Sequence, residues 1–139
     1  MRRLTWTSRA ALVLLVAGAS ASAQQQAVQA ELSCRPEAAP GRVLCELKYS
    51  APSGARIVWA DALVTRAPEF ARPLRSRVSP GRFQDDADER KLTFAFVATS
   101  AGVGTVEVQA RAVVCRGTGA HERCRPQTLA RSAELRVGS

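Results

Sequence analysis

The residues with the most chemical potential stand together in "VVCRGTGAHERCRP", Val113 to Pro126, where Cys115 and Cys124 enclose His121, the single histidine of the chain. Thiols beside an imidazole can hold a metal ion, exchange disulfides or attack an electrophile, whereas two sulfurs bonded to each other only staple the backbone. As a zinc site the stretch offers Cys115, His121 and Cys124, one ligand short of a structural site, and it lacks the closely spaced cysteine pairs of fingers and ribbons. As a nucleophilic centre it is poorer: no Gly-x-Ser-x-Gly elbow occurs anywhere, and His121 has no evident serine or carboxylate partner. These residues predict no catalytic group, no metal and no cofactor, with His121 a solvated loop residue.

What the cysteines do depends on the redox compartment, and the other end of the chain speaks to it. "MRRLTWTSR" carries three arginines and no acid, "AALVLLVAGA" is uncharged and apolar, and Ala21-Ser22-Ala23 is the small-x-small pattern a signal peptidase accepts. Residues 1–23 are therefore expected to be a cleavable signal peptide and residues 24–139 a single domain, periplasmic or extracellular. The apolar run falls well short of the ~20 residues needed to cross a bilayer, so no membrane span is expected after cleavage. Export turns the even cysteine count into an expectation of two disulfides among Cys34, Cys45, Cys115 and Cys124.

The formal net charge of +8 falls to +5 when the signal region is removed, and arginine outnumbers lysine 18 to 2. The basic residues are scattered along the chain without interleaved aromatics, which predicts no nucleic-acid partner. In "FQDDADER", Asp85, Asp86, Asp88 and Glu89 are oxygen ligands of the kind calcium prefers. The twelve-residue loop of an EF-hand is missing and Arg82, Arg90 and Lys91 can neutralise the acids, so a solvated turn is expected.

A period of two runs through the chain, and no segment has convincing helical periodicity. Val28, Ala30, Leu32 and Cys34 share one face; so do Val43, Cys45, Leu47 and Tyr49, then Leu92, Phe94, Phe96 and Ala98, then Val106, Val108, Ala110, Ala112 and Val114. "RIVWADALV" places Ile57 and Trp59 on one face, with Trp59 read as a core residue. "PLRSRVS" reads as a short edge strand, Gly102 and Gly104 as a hairpin, and the last strand runs through Leu129, Ala133, Leu135 and Val137 with Arg131 as an exception. About seven short strands separated by turn residues predict an all-β fold, an immunoglobulin-like antiparallel β-sandwich, with an up-and-down barrel as the alternative.

In antibody-type domains a cysteine on the second strand bonds across the core to one on the sixth, over a tryptophan, and Cys45, Trp59 and Cys115 have that order. Parity opposes it, because Cys115 belongs with the polar set Thr105, Glu107, Gln109 and Arg111 and points away from the core. Local bridges, Cys34 to Cys45 facing inward and Cys115 to Cys124 facing outward, agree better with the alternation. Four cysteines admit three pairings, and the crossed ones stay open on sequence.

"CRGTGAHERCRP" followed by "QTLARSAELRV" resembles the end of the immunoglobulin-like N-terminal domain of bacterial thiol:disulfide interchange proteins. On that resemblance Cys115 and Cys124, the latter followed closely by Pro126, would form a redox pair in which one sulfur attacks and the other resolves the mixed disulfide. Here the two cysteines have eight residues between them rather than a handful, and Cys34 and Cys45, without a counterpart, would be structural. Arg116, Arg123 and Arg125 would favour the thiolate of a neighbouring cysteine. Apart from this resemblance, the sequence reads as a generic exported bacterial sandwich: a non-catalytic binding, accessory or envelope-structural module whose partner is another exported or envelope protein. Its loops, or a sheet edge open to strand addition, would carry the interaction.

Overall fold

Alternating apolar residues make strands with one dry face, and the dry faces of two sheets close on each other in a computed structural model that describes residues 27–80 and 88–138. The expected leader, residues 1–23, and Asp85 and Asp86 of the acidic turn lie outside the described residues. The strands are β1 (Gln29–Cys34), β2 (Gly41–Ser50), β3 (Ala55–Arg66), β4 (Ala71–Pro73), β5 (Arg77–Val78), β6 (Glu89–Ala98), β7 (Gly102–Arg116) and β8 (Arg123–Val137). They form one four-stranded sheet ordered β1-β2-β6-β4 and another ordered β5-β3-β7-β8, with every strand pairing antiparallel. This is an immunoglobulin-like β-sandwich. Among the described residues no helix is long and apolar enough to cross a membrane.

The first sheet brings the bulky core side chains, with Leu47, Tyr49, Phe94 and Phe96 essentially inaccessible, and the second brings smaller ones, with Ala60, Ala62, Ala110 and Ala112 buried beside Val106 and Val108. Large residues on one layer and small ones on the other fill a constant thickness without voids.

Three details depart from the alternation read along the chain. The expected single edge strand near Pro73 is two strands on different sheets, β4 against β6 and β5 against β3. The chain crosses between the layers here: Leu74 N–H donates to Ala95 of the first sheet, and Ser76 accepts from Val64 of the second. Gly102 and Gly104 mark no hairpin, since β6 and β7 belong to opposite sheets. They are glycines because a Cβ on Gly104 would lie 2.5 Å from Pro68 Cβ, and one on Gly102 would lie 2.8 Å from the Phe70 ring. The third departure is in β3, where Val58 is an extra residue: Ile57 pairs with Val114 and Trp59 with Val113. The bulge rephases the strand, so Ala60 and Ala62 face the core and Trp59 faces outward, 37% exposed. The expectation of a core tryptophan is thereby corrected.

Arg131, the exception on the inner face of β8, closes one flank of the sandwich. Its Nε donates to the Ala30 carbonyl at 2.6 Å, and Gln127 Oε1 accepts from Val28 N–H at 2.7 Å, so side chains of β8 cap the free edge of β1. Glu37 completes the seam, donating to Arg136 and accepting from Gly138. Gly104→Ala is expected to cost about 1–3 kcal/mol by forcing Pro68 and Phe70 apart, with an unchanged circular dichroism spectrum. Urea unfolding checks it, and wild-type stability in this variant would refute the close-approach account.

Candidate functional site

The last hairpin is built by β7 and β8 pairing residue for residue from Gly102 opposite Val137 to Arg116 opposite Arg123. Its tip turns at Gly117, φ 77°, where a Cβ would lie 2.6 Å from the His121 carbonyl oxygen, and a single 3-10 turn, Gly119–His121, leaves His121 exposed. Cys115 and Cys124 are directly opposed and form a disulfide, as do the opposed Cys34 and Cys45, leaving no free cysteine. Each bridge lies within one sheet. The antibody-type link from Cys45 to Cys115 is therefore not made.

Cys45 is packed in the core and Cys34 lies against it. Cys115 is on the outer face of its strand as parity requires, yet it is only 1% exposed rather than open to solvent, while Cys124 is exposed. Cys115 stands opposite Arg56 in the neighbouring strand, and a Glu122 carboxylate oxygen lies within 4.8 Å of both sulfurs. Arg56 bonds that carboxylate and donates to the Gly117 carbonyl at 3.0 Å. Cys115, Glu122 and Cys124 could offer a metal three ligands only with the disulfide reduced. Arg116, Arg123 and Arg125, expected to promote a thiolate, are neighbours in sequence of the cysteines and so project from the opposite face of the hairpin. With His121 and Gln127 they line a groove of about 530 Å³.

One strand away, the outer face of the second sheet carries a group that sequence reasoning missed. Asp61 is fully buried although it points out of the sandwich, because two arginines cover it. Arg111 Nε donates to Oδ1 at 2.7 Å and its Nη2 bonds Oδ2, while Arg77 donates to Oδ2 from Nε at 2.7 Å and approaches it with Nη2 at 2.6 Å. The carboxylate favours the charged form of Arg111 and raises its pKa. The Arg111 guanidinium lies 5.7 Å from the Trp59 ring centroid, a cation–π distance that holds the indole against the sheet. From the inside, the Tyr49 hydroxyl donates to the Asp61 carbonyl at 2.6 Å, and burial pushes its pKa upward. The available signal was an acid within the apolar run of β3, facing Arg111 on the adjacent strand.

Two outcomes follow from this cluster. Asp61→Asn should lower stability by about 2–3 kcal/mol, because an amide presents donors to guanidinium donors and the arginines recover only part of their hydration. Thermal unfolding tests it, and an unshifted midpoint would refute a structural role. Tyr49 is the only tyrosine. With its folded pKa raised, its contribution is intact below about pH 10, the unfolded value, and is lost as pH climbs above it. Urea unfolding across that range should show the decline in the wild type and a weaker one in Tyr49→Phe; identical slopes would exclude Tyr49 as the source.

Compared with known proteins, the sequence matches no family and no curated protein. In structure it is similar to the ASH/PapD-like domain 7 of human CEP192, with TM-score 0.41 and 10% identity over 96% of this chain and 97% of that one. It is also similar to AggA, the major subunit of aggregative adherence fimbriae type I from Escherichia coli, with TM-score 0.39 and 9% identity over 80% of this chain and 95% of that one.

Proposed function

We propose that the chain is an exported, non-catalytic module, released from a signal peptide at residues 1–23, that binds another exported or envelope protein through the outer face of its second sheet. The observation that supports this most is the exposed Trp59, held by Arg111 in the same cross-strand row as Val113 and Pro126. An indole combines a large apolar area with few rotatable bonds, and such residues dominate binding energy at interfaces. In the neighbouring edge β5 pairs with β3 only at Ala62 and Leu63.

Thiol–disulfide exchange through Cys115 and Cys124 is the second reading, favoured by the exposure of Cys124. Against it, the Glu122 carboxylate beside the sulfurs is paired with Arg56, so that arginine is engaged and not left to stabilise a thiolate.

Two measurements separate these readings. A photoreactive benzoylphenylalanine in place of Trp59 should crosslink a discrete envelope protein in the native cells, and the same group in place of the outward-facing Thr93 of the other sheet should not. Absence of an adduct, or equal adducts from both positions, would overturn the binding reading. Under mild reductant with a trapping thiol, both bridges should resist alike. Selective opening of Cys115–Cys124 with mixed-disulfide formation would establish exchange instead.

A further inference from the structure

Among the described residues, the β7–β8 hairpin reaches beyond the strands of the layer opposite it. Gln127 contacts Val28 at the start of β1, and the four residues of β8 that precede Gln127 run beyond that strand's end. The inner face of this overhang, which would be core elsewhere in the sandwich, carries Val114, Arg116, Arg123, Arg125 and Gln127 around the groove of about 530 Å³.

Three features of this face need a common cause. Arg116 and Arg123 are directly opposed across the ladder, and Arg125 is the next residue on the same face. Opposed like charges destabilise a sheet, and side chains at such positions are roughly 5–7 Å apart at their roots, so three positive charges are anchored on one small patch. None of the three has a carboxylate partner among the described residues; the bond recorded for them is Arg116 Nη1 to the Ser53 carbonyl at 3.3 Å. Cations on the outer face are paired by contrast: Arg56 with Glu122, and Arg77 and Arg111 with Asp61. Among the described residues, no acid and no phenylalanine, tyrosine or tryptophan lines the groove.

The geometry points to a binding site for a multiply charged oxyanion, of phosphate or sulfate class, held by Arg116, Arg123 and Arg125. A carboxylate satisfies one guanidinium fork, whereas a tetrahedral dianion presents enough oxygens for several. The described lining supplies cations and no ring on which a base would stack, which favours the anionic group itself over single-stranded nucleic acid. The oxyanion can be free in solution or displayed on a lipid headgroup, and the chemistry of capture is the same. This site is separate from the Trp59 face and does not depend on the reading given above for it.

The test is calorimetric titration of the disulfide-bonded chain with inorganic pyrophosphate, beside flotation with phosphatidylcholine vesicles with and without phosphatidylglycerol. Saturable pyrophosphate binding is expected, weakened at least about tenfold in Arg123→Gln/Arg125→Gln and unchanged in Arg72→Gln/Arg75→Gln, an exposed pair outside the groove. Flotation with phosphatidylglycerol that the groove variant loses assigns the anion to a headgroup, and pyrophosphate binding alone assigns it to a soluble ligand. The proposal is overturned if the folded wild type binds neither probe, or if both variant pairs lose binding equally.

Discussion

The rephasing of β3 at Val58 is the constraint on which the rest of the second sheet depends. With one residue added between Ile57 and Trp59, the strand returns Ala60 and Ala62 to the core and sends Trp59 and Asp61 to the outside. Without that step, an indole and a carboxylate would have to enter an interior already filled by Tyr49, Phe94 and Phe96. A carboxylate buried there without partners is far costlier than one covered by arginines at a surface. The bulge thus brings to the outer face the two groups that give it its character. Asp61 orders Arg111, and Arg111 orders Trp59.

The flanks of the sandwich are treated differently. On one, Gln127 and Arg131 of β8 reach across to β1, and Glu37 joins the end of β8, so backbone groups of both edge strands are occupied. On the other, β4 and β5 are too short to cover β6 and β3. Free edges invite further pairing, and natural sheets commonly blunt them. Among the described residues one flank is thus sealed by long-range contacts, while the other is bordered by two short strands.

Much of this was legible in the sequence because the alternation in β2, β6 and β7 is unbroken, and a one-residue slip would turn every apolar side chain to water. The same parity separated Cys115 from Cys45 and led to the two local bridges that the structure contains. Where parity breaks, reading fails for identifiable reasons. The one mark of a bulge in "RIVWADALV" is Asp61, which shares the parity of Ile57 and Trp59; without weighing it, Trp59 reads as core. Glycine serves close approach as well as turning, and Gly102 and Gly104 do the former against Phe70 and Pro68. The groove was hidden because Arg116 and Arg123 are brought face to face only by the register of the hairpin, and its overhang depends on where β1 begins.

Both sulfur links join strands that are already hydrogen-bonded neighbours, and neither crosses from one layer to the other. The two layers are accordingly held face to face by their apolar interior and by the polar seam of β1 with β8. Tension that prises the layers apart therefore meets no sulfur link, only the backbone segments that cross between the sheets, such as the one from β4 to β5: the sandwich opens like a book on those hinges, each leaf still stitched along its own lines.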